Sequence, residues 1–301
     1  MFKGSLVALI TPFTTKGKID RKALETLVEW HLQEGTDGIV CSGSTGEAST
    51  LSDRERLQVA EICIKASAGR VPVIVGTGTA DTLQSVRLTQ AAQKVGASGC
   101  LVLTPYYNKP TQRGCLEHFR QVAKVGLPVI AYHNPGRTAF LLTLESALRL
   151  GEIPGIVAIK ESSGNLQITK ALRGHPQVSI LAGDDDMAYS MIQEGATGVI
   201  SVIGNVIPRG WKKMIDAALA KNWKQAEKLA TRYMPLCKGH FLEANPQCVK
   251  YVVSQMGRCK PVFRLPLLMP LEATQKALQQ LLVRLALPYS STEAKVTLST
   301  G

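Results

Sequence analysis

The chain has 301 residues, 45% of them hydrophobic and 19% charged, and a formal net charge of +12. This balance excludes disorder over most of the length, and a chain of this size buries on the order of three-quarters of its unfolded surface. No apolar run reaches the roughly 18 residues of a membrane span, and seven scattered cysteines without a CxxC pair argue against a disulfide framework or a zinc site.

The opening stretch, MFKGSLVALITPF, has too short an apolar core for a secretion signal and lacks a small-residue cleavage site, so a cytoplasmic location is expected. The positive charge is spread out. Lys212, Lys213, Lys221, Lys224 and Lys228 alternate with acids and apolar positions as on a solvated face. A nucleic-acid partner is therefore not expected, and the field serves to steer anionic substrates.

Short apolar, β-rich runs recur at residues 6–10, 38–41, 71–75, 100–103, 128–132, 156–159, 178–181 and 198–202. Polar turns follow them, and then segments with helical periodicity such as Ala23, Leu24, Leu27, Val28 and His31. Ser52 with Glu55 forms a capping-box pattern at one helix start. Apolar runs without strict alternation suit strands covered on both faces. The α/β pattern predicts a (β/α)8 TIM barrel over residues 1–222, with an open doubly wound sheet as the alternative. Strand signals then stop, and residues 223–289 form a C-terminal helical appendage, with helical stretches at 223–256 and 271–287 around a proline-rich 261–270. A polar tail occupies 290–301.

In such a barrel the chemistry sits at the carboxyl ends of the strands. After the second strand, Gly43-Ser44-Thr45-Gly46-Glu47 is a small-residue turn whose backbone N–H groups suit a carboxylate or phosphate, or which simply needs glycine conformations. Gly76-Thr77-Gly78-Thr79 after the third is a weaker version. The fourth is followed by Thr104-Pro105-Tyr106-Tyr107-Asn108, and the fifth runs into Tyr132-His133-Asn134-Pro135-Gly136-Arg137-Thr138. Tyrosine can carry protons and arginine can grip a carboxylate bidentately, whereas His133, of opposite parity to Tyr132, reads as structural. The sixth run ends in Lys160. Alternation places Ile156, Ala158 and Lys160 on one face. Burial disfavours a charged amine, and a neutral amine is the nucleophile of Schiff-base chemistry; the other reading is a strand-end lysine that snorkels to water. Lysine, tyrosine, anion-sized turn and arginine together fit an imine-forming site for a 2-oxo acid.

These residues, with Ala8-Leu9-Ile10-Thr11-Pro12-Phe13, Ile159-Lys160-Glu161-Ser162-Ser163-Gly164, Gly183-Asp184-Asp185 and Glu243-Ala244-Asn245-Pro246, resemble the dihydrodipicolinate synthase family of pyruvate-dependent class I aldolases. The resemblance implies that Lys160 forms an imine with pyruvate and that its enamine attacks L-aspartate-4-semialdehyde, without metal or organic cofactor, in the diaminopimelate route to lysine. It implies a proton relay of Tyr132, Ser44 and Tyr107, the last reaching in from a neighbouring subunit of a homotetramer built from two dimers. Backbone groups of Ser44 and Thr45 would hold the pyruvate carboxylate, Arg137 the semialdehyde carboxylate, and Gly183 and Ile200 would line the lysine pocket. Serine at position 44, where threonine is usual, also fits the sialic acid lyase branch, so an N-acetylneuraminate or 2-keto-3-deoxy sugar acid lyase is the alternative. A non-catalytic nucleic-acid binder is a more distant one. Members inhibited by L-lysine place histidine, asparagine and glutamate where this chain has Asp53, Arg56, Ala80 and Gln84, so weak or absent inhibition is expected.

Overall fold

The structure, a computed structural model, describes residues 2–288; the expected tail at 290–301 lies outside them. Eight parallel strands, β1 (Gly4–Ala8), β2 (Gly38–Cys41), β3 (Val73–Gly76), β4 (Gly99–Leu103), β5 (Val129–His133), β6 (Ile156–Glu161), β7 (Ser179–Ala182) and β8 (Gly198–Ser201), pair in sequence order. β1 closes on β8, which completes the barrel and rules out the open sheet. Strand residues alternate between two apolar clusters. One fills the barrel interior with Leu6, Val40, Ile74, Leu101, Ile130, Ala158, Leu181 and Ile200; the other lies between strands and helices. Burial on both faces is why the strands read as continuous apolar runs.

Two local departures from the expected pattern have clear causes. β3 begins at Val73 instead of Val71, since Pro72 has no N–H to give a ladder, although its carbonyl accepts from the Ile39 N–H at 3.0 Å. On β6, Val129 pairs with Ile156 but Ile130 pairs with Ala158, so Val157 is an extra residue in a β-bulge. Ile156 therefore packs in the outer cluster, while Ala158 and Lys160 face inward.

The helix Asp53–Ser67 starts with the expected capping box: Ser52 Oγ accepts from the Glu55 N–H (3.3 Å) and Glu55 Oε2 accepts from the Ser52 N–H (3.0 Å). The C-terminal stretch expected at 223–256 is two helices, Trp223–Gly239 and Gln247–Gln255, followed by Glu272–Arg284. The first of these helices ends at Gly239, and the connecting turn carries Asn245 to the barrel mouth before Pro246 caps the start of the next one. Leu236, Val249, Val252, Leu278 and Leu282 join the same outer cluster as the barrel helices. Among the described residues no helix is long and apolar enough to cross a membrane.

Candidate active site

The register of β5 against β6 sets the centre of the site: Tyr132 lies opposite Lys160, and His133 opposite Glu161. Alternation sends these pairs to opposite faces. Inside, Lys160 is 5% exposed, and its Nζ lies 4.1 Å from the centroid of the Tyr132 ring. No hydrogen bond or ion pair holds the amine among the described residues. Outside, His133 Nε2 accepts from the Leu142 N–H (3.0 Å), which leaves Nδ1–H to donate to Glu161 Oε2 (2.8 Å), and Glu161 Oε1 accepts from the Ser163 N–H (2.6 Å). This buried pair fastens the loops after both strands. His133 is thus structural, as its parity indicated.

A chain of contacts then runs around the mouth. The Tyr132 hydroxyl accepts from Asn134 Nδ2 at 2.8 Å, and Asn134 Oδ1 accepts from the Arg137 N–H at 3.0 Å, capping the short helix Pro135–Thr138. Arg137 Nη2 donates to the Asn245 carbonyl at 3.3 Å, and Asn245 Nδ2 donates to Thr45 Oγ1 at 3.0 Å. Asn134 and Asn245 therefore connect three residues that the sequence reading singled out. Neither had been given a role. Asn245 sits in the turn just before Pro246, 200 residues from Thr45, and its Oδ1 is buried with no partner among the described residues.

Beneath the Gly43–Glu47 turn is a second buried lysine. Lys250 Nζ donates to Glu47 Oε1 at 2.5 Å, both side chains are 0% exposed, and the Phe13 ring lies 4.0 Å from the amine. Burial pushes the Lys250 amine below its ordinary range, and Glu47 opposes that. Glu47 holds a left-handed backbone, φ 57°, so this pair fixes the end of the turn that presents Ser44 and Thr45. Arg264, donating to both Glu55 oxygens (2.9 and 2.6 Å), ties the C-terminal segment to the next helix.

Two connected compartments result. The inner one is lined by Lys160, Tyr132, Ser44, Thr45, Gly183, Asp184 and Phe241. A Cβ on Gly183 would fall 1.9 Å from Ser162 Oγ and 3.0 Å from Lys160 Cε, so only glycine leaves the lysine stem its place. Burial raises the Asp184 carboxyl above its usual range, and the Lys160 charge partly offsets this. The outer cavity, about 280 Å³, shares Ser44, Tyr132, Arg137 and Asn245 with the inner one and adds Arg56 and Tyr106. Ile200 is fully buried in the barrel interior, and at that point of the inner wall Val202 is the lining residue. Tyr107 stands apart: it is 93% exposed, with φ 68°, and lines neither compartment within the chain.

A buried amine, a phenol opposite it, a turn with hydroxyls and free N–H groups, and an arginine at the mouth make a site for imine chemistry on a small carboxylate-bearing carbonyl compound. Comparison with known proteins points the same way. Residues 1–285 match the Dihydrodipicolinate synthetase family. The 4-hydroxy-tetrahydrodipicolinate synthase of Thermodesulfovibrio yellowstonii is 44% identical over 89% of this chain and 92% of its own length, and that of Neisseria gonorrhoeae 45% identical over 89% and 93%. The crystal structure of the dihydrodipicolinate synthase from Aquifex aeolicus superposes with a TM-score of 0.94 at 42% identity, covering 96% of this chain and all of that one. The chloride-inhibited Acinetobacter baumannii enzyme, solved in complex with pyruvate, superposes with 0.94 at 40% identity over 96% of this chain. With the match running through the whole barrel and the C-terminal helices, the chain belongs to the dihydrodipicolinate synthetase family.

Proposed function

We propose that this chain condenses pyruvate with L-aspartate-4-semialdehyde through a Schiff base on Lys160, giving 4-hydroxy-tetrahydrodipicolinate for the diaminopimelate route to lysine. The observation that carries the reading is the buried, unpaired Lys160 amine facing Tyr132 at the floor of a cavity. The amine adds to the ketone carbon, and the ketone oxygen leaves as water. Loss of a methyl proton turns the imine into an enamine, whose carbon attacks the aldehyde. The substrate's own amine then displaces Lys160, closing the ring and freeing the enzyme.

Tyr132 and Ser44 carry protons in this scheme, with Tyr107 supplied by a second copy of the chain in a homotetramer; its exposure in the single chain suits such a donation. The Ser44 and Thr45 backbone holds the pyruvate carboxylate, and Arg137 the carboxylate of the aldehyde. Gly183 and the buried β8 around Ile200 shape the lysine pocket. No organic or metal cofactor takes part, and the enzyme works in the cytoplasm. Weak or absent inhibition by L-lysine belongs to the same reading. The Asp53 carboxylate already accepts from Gln84 Nε2 (3.2 and 3.4 Å), and Arg56 repels an ammonium. Half-maximal inhibition at sub-millimolar lysine overturns that part.

Borohydride reduction with pyruvate, followed by mass mapping, tests the imine, and an adduct anywhere but Lys160 defeats it. A coupled assay offering pyruvate with aspartate semialdehyde or with N-acetylmannosamine tests the second substrate. Turnover of the sugar alone would move the chain to the lyase branch.

A further inference from the structure

Behind the Lys160 pocket lies a buried carboxyl with no ion-pair partner among the described residues: Asp185, in the turn after β7, is 3% exposed. Its Oδ2 accepts from the Val202 and Ile203 N–H groups, both at 2.9 Å, and its Oδ1 is buried with no hydrogen-bond partner among the described residues. Those two amides belong to the residues that follow β8. The β7–β8 ladder pairs Leu181 with Gly198 and Ala182 with Val199, and beyond that register the Asp185 carboxyl joins the two strand ends. The wall so joined encloses the inner compartment, with Gly183 and Asp184 on the β7 side and Val202 on the β8 side lining the space around Lys160.

Burial raises the Asp185 carboxyl to about 6; the Ser201 hydroxyl and the two amides oppose this, and Asp184 adds to it. Asp186 follows in the same turn, and the Cys237 thiol of Trp223–Gly239 is itself pushed up by burial. Tyr189, on the next helix, packs against Trp223, and residues 202–205 carry no ionisable side chain. A carboxyl raised by folding lends stability that is complete below its ordinary 3.8 and is lost as pH rises through about 6, so at neutral pH the ionised form works against the fold. What ionisation adds is bond strength, because a charged acceptor makes hydrogen bonds about twice as strong as a neutral one.

We infer that Asp185 is a positioning residue whose ionised carboxylate clamps the ends of β7 and β8 together so that Lys160 is held for attack on the ketone. The inference rests on the imine chemistry proposed above and adds a residue that touches no substrate.

Borohydride trapping of the adduct formed with pyruvate alone, timed between about pH 5 and 8 in wild type and Asp185→Asn, tests the clamp, with thermal unfolding read at neutral pH. The wild-type rate should fall below about pH 6. Asp185→Asn should be slower by about 10-fold at neutral pH, the worth of a charged over a neutral hydrogen bond, and its pH profile should be flat where the wild type declines. Its unfolding midpoint should equal or exceed that of the wild type, and the pyruvate concentration at half-maximal rate should change little, since the turn after β2 holds that carboxylate. Asp185→Glu, which restores the charge, should recover part of the rate and the acid limb. An unchanged rate in Asp185→Asn, the same acid limb in both proteins, or a variant that unfolds earlier or fails to fold each overturns the inference, the last because it makes the residue a support of the fold alone. No adduct in the wild type defeats the imine reading and the clamp together, whereas a wild-type adduct matched by Asp185→Asn defeats the clamp alone.

Discussion

Lys160 and Lys250 are two buried lysines at the same end of one barrel, 5% and 0% exposed, each with its amine about 4 Å from an aromatic ring. What separates them is the remaining neighbour. Lys250 faces the Glu47 carboxylate, which opposes the effect of burial on the amine and ties the C-terminal helix Gln247–Gln255 to the turn after β2. Lys160 faces a cavity. Burial alone does not make a nucleophile, because a buried amine with a carboxylate in contact is a fastener; an open space beside it lets a carbonyl compound arrive.

Exchanging the roles of the two lysines should expose this difference. Lys160→Ala is expected to lower kcat on the order of 10⁴- to 10⁶-fold, as removal of a covalent nucleophile does, with little change in the unfolding midpoint. Retention of a borohydride-trapped pyruvate adduct in that variant would show that another amine does the chemistry. Tyr132→Phe, which keeps the ring beside Lys160 but removes the hydroxyl that Asn134 holds, should lower kcat by about 10²- to 10⁴-fold. An unchanged kcat removes Tyr132 from the proton relay.

Lys250→Met is expected to act the other way, destabilising the fold by about 3–5 kcal/mol because it leaves Glu47 buried without its partner. Glu47→Gln in the same chain should recover much of the loss, and chemical denaturation reads both. In the folded fraction, KM for pyruvate should rise more than kcat falls, since the turn that Glu47 ends carries Ser44 and Thr45. A stable Lys250→Met protein with unchanged KM would reduce the pair to packing.

The smallest effect is a pH dependence that leaves both lysines untouched. Burial holds His31 at about 3 and His118 and His240 at about 4, below the ordinary 6.5. The unfolded chain therefore binds protons on these rings before the folded one does. Their contribution to stability is complete above about pH 6.5 and declines as pH falls towards 3–4, so the unfolding midpoint should drop across that window. His240→Gln should flatten the slope, and an unaltered slope would exclude His240 as one of its sources.

The barrel was legible because its strands are local events. Runs such as 38–41 and 198–202 coincide with β2 and β8 to within a residue, and parity along β5 separated Tyr132 from His133 without any knowledge of their partners. Parity failed on Ile156, where the bulge at Val157 inserts a residue that no single-strand pattern encodes. It also gave no hint of Asn134, whose part depends on reaching the Tyr132 hydroxyl across a turn.

The periodicity of apolar residues and the spacing of turns determined on their own that eight strands form, that Lys160 lies near the carboxyl end of the sixth, and that Tyr132 lies near that of the fifth with Arg137 in the turn after it. Tertiary structure alone decided what surrounds them. Asn245 meets Thr45 across 200 residues and Lys250 meets Glu47 across 203, and Arg56 enters the same cavity as Arg137. Those pairings depend on barrel closure and on the turn just before Pro246. Hydrophobic patterning specifies which face of an element is buried, and it carries no record of which polar group from a distant part of the chain will share that burial.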